Sequence, residues 1–80
     1  MNTKKMKKYM NEVGMTIVDL HRVTNINLST LDAIMDDRQE PTYAQAMNMI
    51  NKLLMHFPKE RHWAIFNEIF IQPIFNREKK

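Results

Sequence analysis

The chain has no cysteine, so no disulfide can brace it, and a reducing compartment is the expected setting. It has one glycine and three prolines in 80 residues. So few turn residues argue against an all-β fold with many tight turns. Long apolar runs are also missing, and none approaches the length of a membrane span. The lysines near the start are not followed by an apolar stretch of signal-peptide length, so a cytoplasmic protein is expected. No Gly-rich phosphate loop is present, and no nucleophile–base arrangement is legible, so no enzyme is expected. Three histidines without cysteine or convergent spacing predict no metal site, and "DDRQE" lacks the glycine and spacing of a calcium loop. No cofactor is expected.

What is present favours helix. Leu, Met, Lys, Glu, Ala and Gln are plentiful, and all form helices well. The hydrophobic share is 44%, including eight methionines, four phenylalanines and one tryptophan. Methionine fills irregular gaps, so a tolerant core or an adaptable apolar surface should result. Charge is segregated. Residues 1–10 carry +4, residues 11–50 carry −4 and residues 51–80 carry +3. The basic pI of about 9.4 points toward nucleic acid, but the acidic middle of the chain points the other way.

The pattern predicts an all-α, five-helix bundle with helices over about 3–13, 17–23, 28–36, 43–55 and 59–71. In the first, Met6, Met10 and Val13 form one stripe, and Gly14 stops the helix. Thr16 should cap the second, whose Leu20 and Val23 face inward; Asn25 should take the left-handed turn. Asn27 should cap the third, with Leu31 and Ile34 inward. Pro41 breaks the chain, Thr42 caps the fourth, and Ala46, Met49, Ile50 and Leu53 line its buried face. Pro58 opens the fifth, with Trp63, Phe66, Ile69 and Phe70 as an aromatic stripe that mostly closes the core. Residues 1–75 should be one domain and 76–80 a flexible basic tail.

The run from Met15 to Leu53 resembles the Cro/repressor-type helix-turn-helix family, also called XRE. Thr16, Leu20, Thr24, Ile26, Ser29, Thr30, Leu31, Ile34, Pro41, Met49 and Leu53 carry the resemblance. It implies a helix-turn-helix that places Asn27 to Ala33 in the major groove of an operator, in a transcription regulator encoded by a phage or mobile element. The DNA-facing set would be Thr16, Asn27, Leu28, Ser29, Thr30, Asp32, Ala33, Arg38 and Gln39, with Lys4 and Lys5 reaching phosphates and Lys7 and Lys8 beside them able to do so. Asn25 and Asp37 replace glycines common in the family, and both residue types tolerate a left-handed backbone. Ile17 and Leu28 are apolar where the family often has polar contacts, and His21 replaces a small residue at the helix crossing.

At about 100° per residue, a third helix with Leu31 and Ile34 inward turns Ser29, Asp32, Ala33 and Asp36 outward. Two acids on that face repel phosphates, although one aspartate can accept from cytosine N4. A second function therefore stands beside the first. The same scaffold could be a protein-binding module, an antirepressor or a small phage inhibitor such as an anti-CRISPR, whose acidic, partly apolar face occupies a partner's DNA-binding surface. Apolar residues on several sides of helix 5 and beyond predict a homodimer through Trp63, Phe66, Ile69, Phe70, Ile74 and Phe75.

Overall fold

Four of the five helices start where a side chain takes up a free backbone N–H group. In the computed structural model, which describes residues 1–70, Asn2 caps α1 (Thr3–Glu12) by accepting from the Lys5 N–H at 3.0 Å. Thr16 caps α2 (Ile17–Thr24) and Thr42 caps α4 (Tyr43–Leu54), each in a reciprocal box with Asp19 or Gln45. Asn27 caps α3 (Leu28–Met35), and Pro58 precedes α5 (Lys59–Ile69). A Ser, Thr or Asn cap contributes about 1 kcal/mol, so these four positions matter for short helices. The described residues form these five helices and no strand.

The helices pack as an all-α bundle. α2 rests on α3 and α4, α5 on α1 and α4, and α1 also touches α3 and α4. Met6, Leu20, Leu31, Ile34, Met49, Ile50, Leu53, Ile65 and Ile69 are fully buried at the centre. Burying a side chain of this size stabilises by about 1.5–3 kcal/mol. α5 is clasped to α1 by polar groups along its edge. The Tyr9 hydroxyl donates to Glu68 at 2.8 Å, Lys5 pairs with Glu68 at 3.5 Å, and Arg61 donates to Glu12 at 2.8 Å. The Asn2 N–H closes the same end by donating to the Ile69 carbonyl at 2.6 Å.

Several inward assignments shift. Val23 is 47% exposed, and Thr24 is buried in its place. Thr24 can go inside because its hydroxyl donates to the Leu20 carbonyl at 2.7 Å and accepts from the Ile26 N–H at 3.2 Å. On α1 the buried partners of Met6 and Met10 are Tyr9 and Thr3, while Val13 ends the helix half-buried. On α5 the buried residues are Ile65 and, from the expected stripe, Ile69; Phe66 and Phe70 are half-buried against the core, and Trp63 is 75% exposed. An Ile pair at i, i+4 fits between α1 and α4, leaving the bulkier rings to one side. Among the described residues, no helix is long and apolar enough to cross a membrane.

Candidate nucleic-acid interface

The centre of the site is α2, a three-residue turn and α3, the order of a helix-turn-helix. The turn is held from four directions. Asn25 adopts φ 62°, and its N–H donates to the His21 carbonyl at 2.9 Å. His21 Nδ1 lies 2.6 Å from the Ile26 carbonyl. A carbonyl can only accept, so this nitrogen carries the proton. Asn48 on α4 donates to the Thr24 carbonyl at 2.9 Å. The histidine at the helix crossing is thus a brace across the turn, and the Thr24 hydroxyl completes the set.

At the start of α2, the Asp19 N–H donates to the Thr16 hydroxyl at 3.1 Å, and the Thr16 N–H donates to the Asp19 carboxylate at 2.9 Å. That backbone hydrogen bond, first, and the side-chain bond with Thr16, second, lower the Asp19 pKa below its ordinary value. At the start of α3, Asn27 Oδ1 accepts from the Ser29 N–H at 2.9 Å and from the Ser29 hydroxyl at 2.6 Å. Thr16 and Asn27 therefore shape the two helix starts, and their side-chain oxygens are already engaged.

The exposed face of α3 carries Leu28, Ser29, Asp32 and Asp36, with Thr30 half-buried at its edge. Ala33 does not belong to it. Ala33 is 9% exposed, and its carbonyl accepts from the Arg38 N–H at 2.9 Å. This bond and the one from the Asp37 N–H to the Ile34 carbonyl at 3.1 Å form a Schellman closure. Asp37 holds the left-handed position at φ 61°, where glycine is the usual residue. Its carboxylate accepts from the Thr3 hydroxyl at 3.0 and 3.1 Å. This acid therefore faces α1 and stitches the α3 terminus to it.

Arg38 governs the charge of the face. Its Nε donates to Asp36 at 3.3 Å, and its Nη2 stands 3.6 Å from Asp32. All three side chains are largely exposed, so the pairs contribute little stability but do occupy the guanidinium. Lys7 reaches the same place. It lines a groove of about 340 Å³ with Asp32, Asp36, Thr16, Ile17 and a floor that includes Met10, Met15 and Met35. Two acids thus meet two bases, and the face is close to neutral.

The other expected contacts divide. Lys4 is exposed on α1, whereas Lys5 is turned to α5 by its pair with Glu68. Lys7 lies beside α3 instead, where it lines the groove with Asp32 and Asp36. Gln39 is exposed in the loop after α3 and lines a small hollow with Thr3, Asp37 and Arg38.

On the far side, Trp63, Phe66 and Phe70 continue to Tyr43 as an aromatic strip. Phe66 and Phe70 lie 5.3 Å apart, Tyr43 and Phe70 5.8 Å. Tyr43 is 70% exposed, and Phe66 and Phe70 are half-buried against the core. Ile69 belongs to the core and is removed from the surface set, because no part of it is exposed. Ile74 and Phe75 lie outside the described residues, as does the expected last residue of helix 5. Among the described residues, no three of His, Cys, Asp or Glu gather where they could hold a metal ion. Compared with protein-family models, with curated proteins and with solved structures, the chain gives no match.

Proposed function

We propose that the protein is a DNA-binding transcription regulator of the Cro/repressor helix-turn-helix kind, encoded by a phage or mobile element and acting in the cytoplasm. The observation that carries this reading is the braced α2–turn–α3 unit, whose α3 face lies open with Lys7 and Arg38 beside it. A rigid α3 is what major-groove reading requires, and lysines at its flank supply phosphate contacts. Asn27, Leu28, Ser29 and Asp32 would meet base edges, while Lys4, Lys7 and Gln39 would track the backbone and Arg38 stays paired with Asp32 and Asp36. A second copy would pack on the strip of Trp63, Phe66, Phe70 and Tyr43, giving the two-fold symmetry of a palindromic operator.

Fluorescence anisotropy with duplex DNA at low salt tests this, since electrostatic binding is strongest there. The expected result is binding that weakens steeply with salt. Reversing Lys4 and Lys7 to Glu should reduce the salt slope by at least about 1.8, at roughly 0.9 per phosphate contact. No binding to any duplex at low salt ends the reading.

A second reading is favoured by one feature, the closure of Asp32 and Asp36 over Arg38. A face whose arginine is already paired, with Leu28 and Ile17 nearby, suits a protein partner's DNA-binding surface, as an antirepressor or nuclease inhibitor would use it. A pull-down with the element's own repressor, repeated with Asp32→Lys and Asp36→Lys, separates the two. Loss of capture supports this reading; unchanged capture removes α3 from it.

A further inference from the structure

A second surface lies on the opposite flank of α2. Ile17 turns toward α3, whereas Asp19 and Val23, two and six residues on, turn toward the end of α4. There, two adjoining grooves open. One, about 260 Å³, is lined by Val13, Gly14, Met15, Arg22, Val23 and His56. The other, about 390 Å³, is lined by Val23, Lys52, Met55 and His56. Val23 and His56 belong to both, so the two are one trough with a low divide.

The trough is apolar at its base and basic at its rim. Met55 is 75% exposed and Val23 47%, although both are large and hydrophobic. Arg22 and Lys52 stand around them with His56, and these two cations outnumber the single acid, Asp19, which stays charged in the Thr16 capping box. Methionine suits an adaptable docking surface, because its side chain repacks around differently shaped anchors.

We infer that this trough docks an acidic amphipathic helix of a partner protein, with one apolar anchor in each groove and carboxylates on the basic rim. Anchors three or four residues apart are the usual spacing for a helix in a groove. Charge complementarity selects the occupant. Residues 76–80 carry Arg77, Lys79 and Lys80 against Glu78, a charge of the same sign as the rim. Neither α3 nor the aromatic strip takes part, so the inference stands independently of DNA binding.

The test is titration of the isotope-labelled full chain with a roughly 14-residue amphipathic peptide, long enough to form helix. It carries Leu at i, i+3 and i+7 and Glu elsewhere on that side, and a control carries Lys for Glu. Saturable NMR shifts at Val23, Met55 and His56 are expected with the Glu peptide alone. Arg22→Glu with Lys52→Glu should weaken binding at least about tenfold, the reach of two rim charges reversed. Met55→Ser should weaken it separately, and its exposure leaves the fold intact. Equal binding of the Lys peptide, no saturation, or an unaffected charge-reversed variant overturns the inference. So does a shift of the same residues on dilution without peptide, which would mean that a second copy occupies the trough.

Discussion

Replacing Asp32 and Asp36 with Asn releases Arg38. In the native protein its Nε donates to Asp36 at 3.3 Å and its Nη2 faces Asp32 at 3.6 Å. The asparagines keep the shape of the face and remove two negative charges. Two contributions follow for DNA binding. A unit charge about 8 Å from a phosphate in water interacts by roughly 0.5 kcal/mol, and salt near 0.1 M screens about half of that. Removing both repulsions is therefore worth about 0.5 kcal/mol, a little over twofold. One arginine freed for a phosphate adds about 0.9 to the salt slope, roughly eightfold at 0.1 M relative to 1 M salt. Together they predict roughly tenfold or greater tightening on non-specific duplex. Anisotropy titrations across a KCl series measure both the affinity and the slope. An unchanged slope would show that Arg38 is not the sequestered phosphate contact. Weaker binding on a specific operator would mean that an aspartate reads cytosine, and the repulsion argument would fail.

Other outcomes follow from the fold. Thr3→Ala should destabilise by about 1 kcal/mol and Asp37→Asn by less, because the amide oxygen still accepts from the Thr3 hydroxyl and only the acceptor's charge is lost; the two together should cost little more than Thr3→Ala alone, and urea denaturation of the full cycle checks this. Ile69→Ala should cost about 2–5 kcal/mol, whereas Trp63→Ser should stay within about 0.5 kcal/mol, since the first empties the core and the second touches mainly solvent. The Tyr9–Glu68 hydrogen bond lowers the Glu68 pKa and raises that of Tyr9. Stability from Glu68 is therefore present above its unfolded pKa, near 4.3, and lost as pH falls through the lower folded value; stability from Tyr9 is present below about 10 and lost as pH rises past it. Tyr9→Phe should flatten both limbs of a melting temperature against pH curve, and an unchanged acid limb would remove Glu68 from its cause.

Local chemistry was readable where it acts within a few residues. Thr16 and Asn27 cap α2 and α3, Gly14 and Asn25 take left-handed turns, and Asp37 does the same after α3. These follow from side-chain reach and backbone sterics, which depend on neighbours in sequence. The buried face of α4 was readable for a similar reason, since Ala46, Met49, Ile50 and Leu53 repeat at three- and four-residue steps, and Leu54 joins them in the core. Short helices were harder. Over eight residues, α2 and α3 make little more than two turns, so Val23 and Ala33 could be placed on either side of the boundary. On α5, where apolar residues occur around much of the cylinder, hydrophobicity placed Ile69 inside but could not choose Ile65 over Trp63 as its partner.

The helices, their stops and the single all-α architecture were thus determined by the sequence itself, through caps, periodicity and the scarcity of turn residues. The character of the candidate site was decided by tertiary structure alone. Asp37 became a stitch because Thr3, 34 positions away, reaches its carboxylate. Lys7 lies beside the α3 face and Lys5 pairs with Glu68 on the α5 side of α1. Asp32 and Asp36 looked like bare charges in the chain, and in the fold they enclose Arg38. Charge is written residue by residue, but the field that a partner meets depends on distances between side chains that only folding brings together.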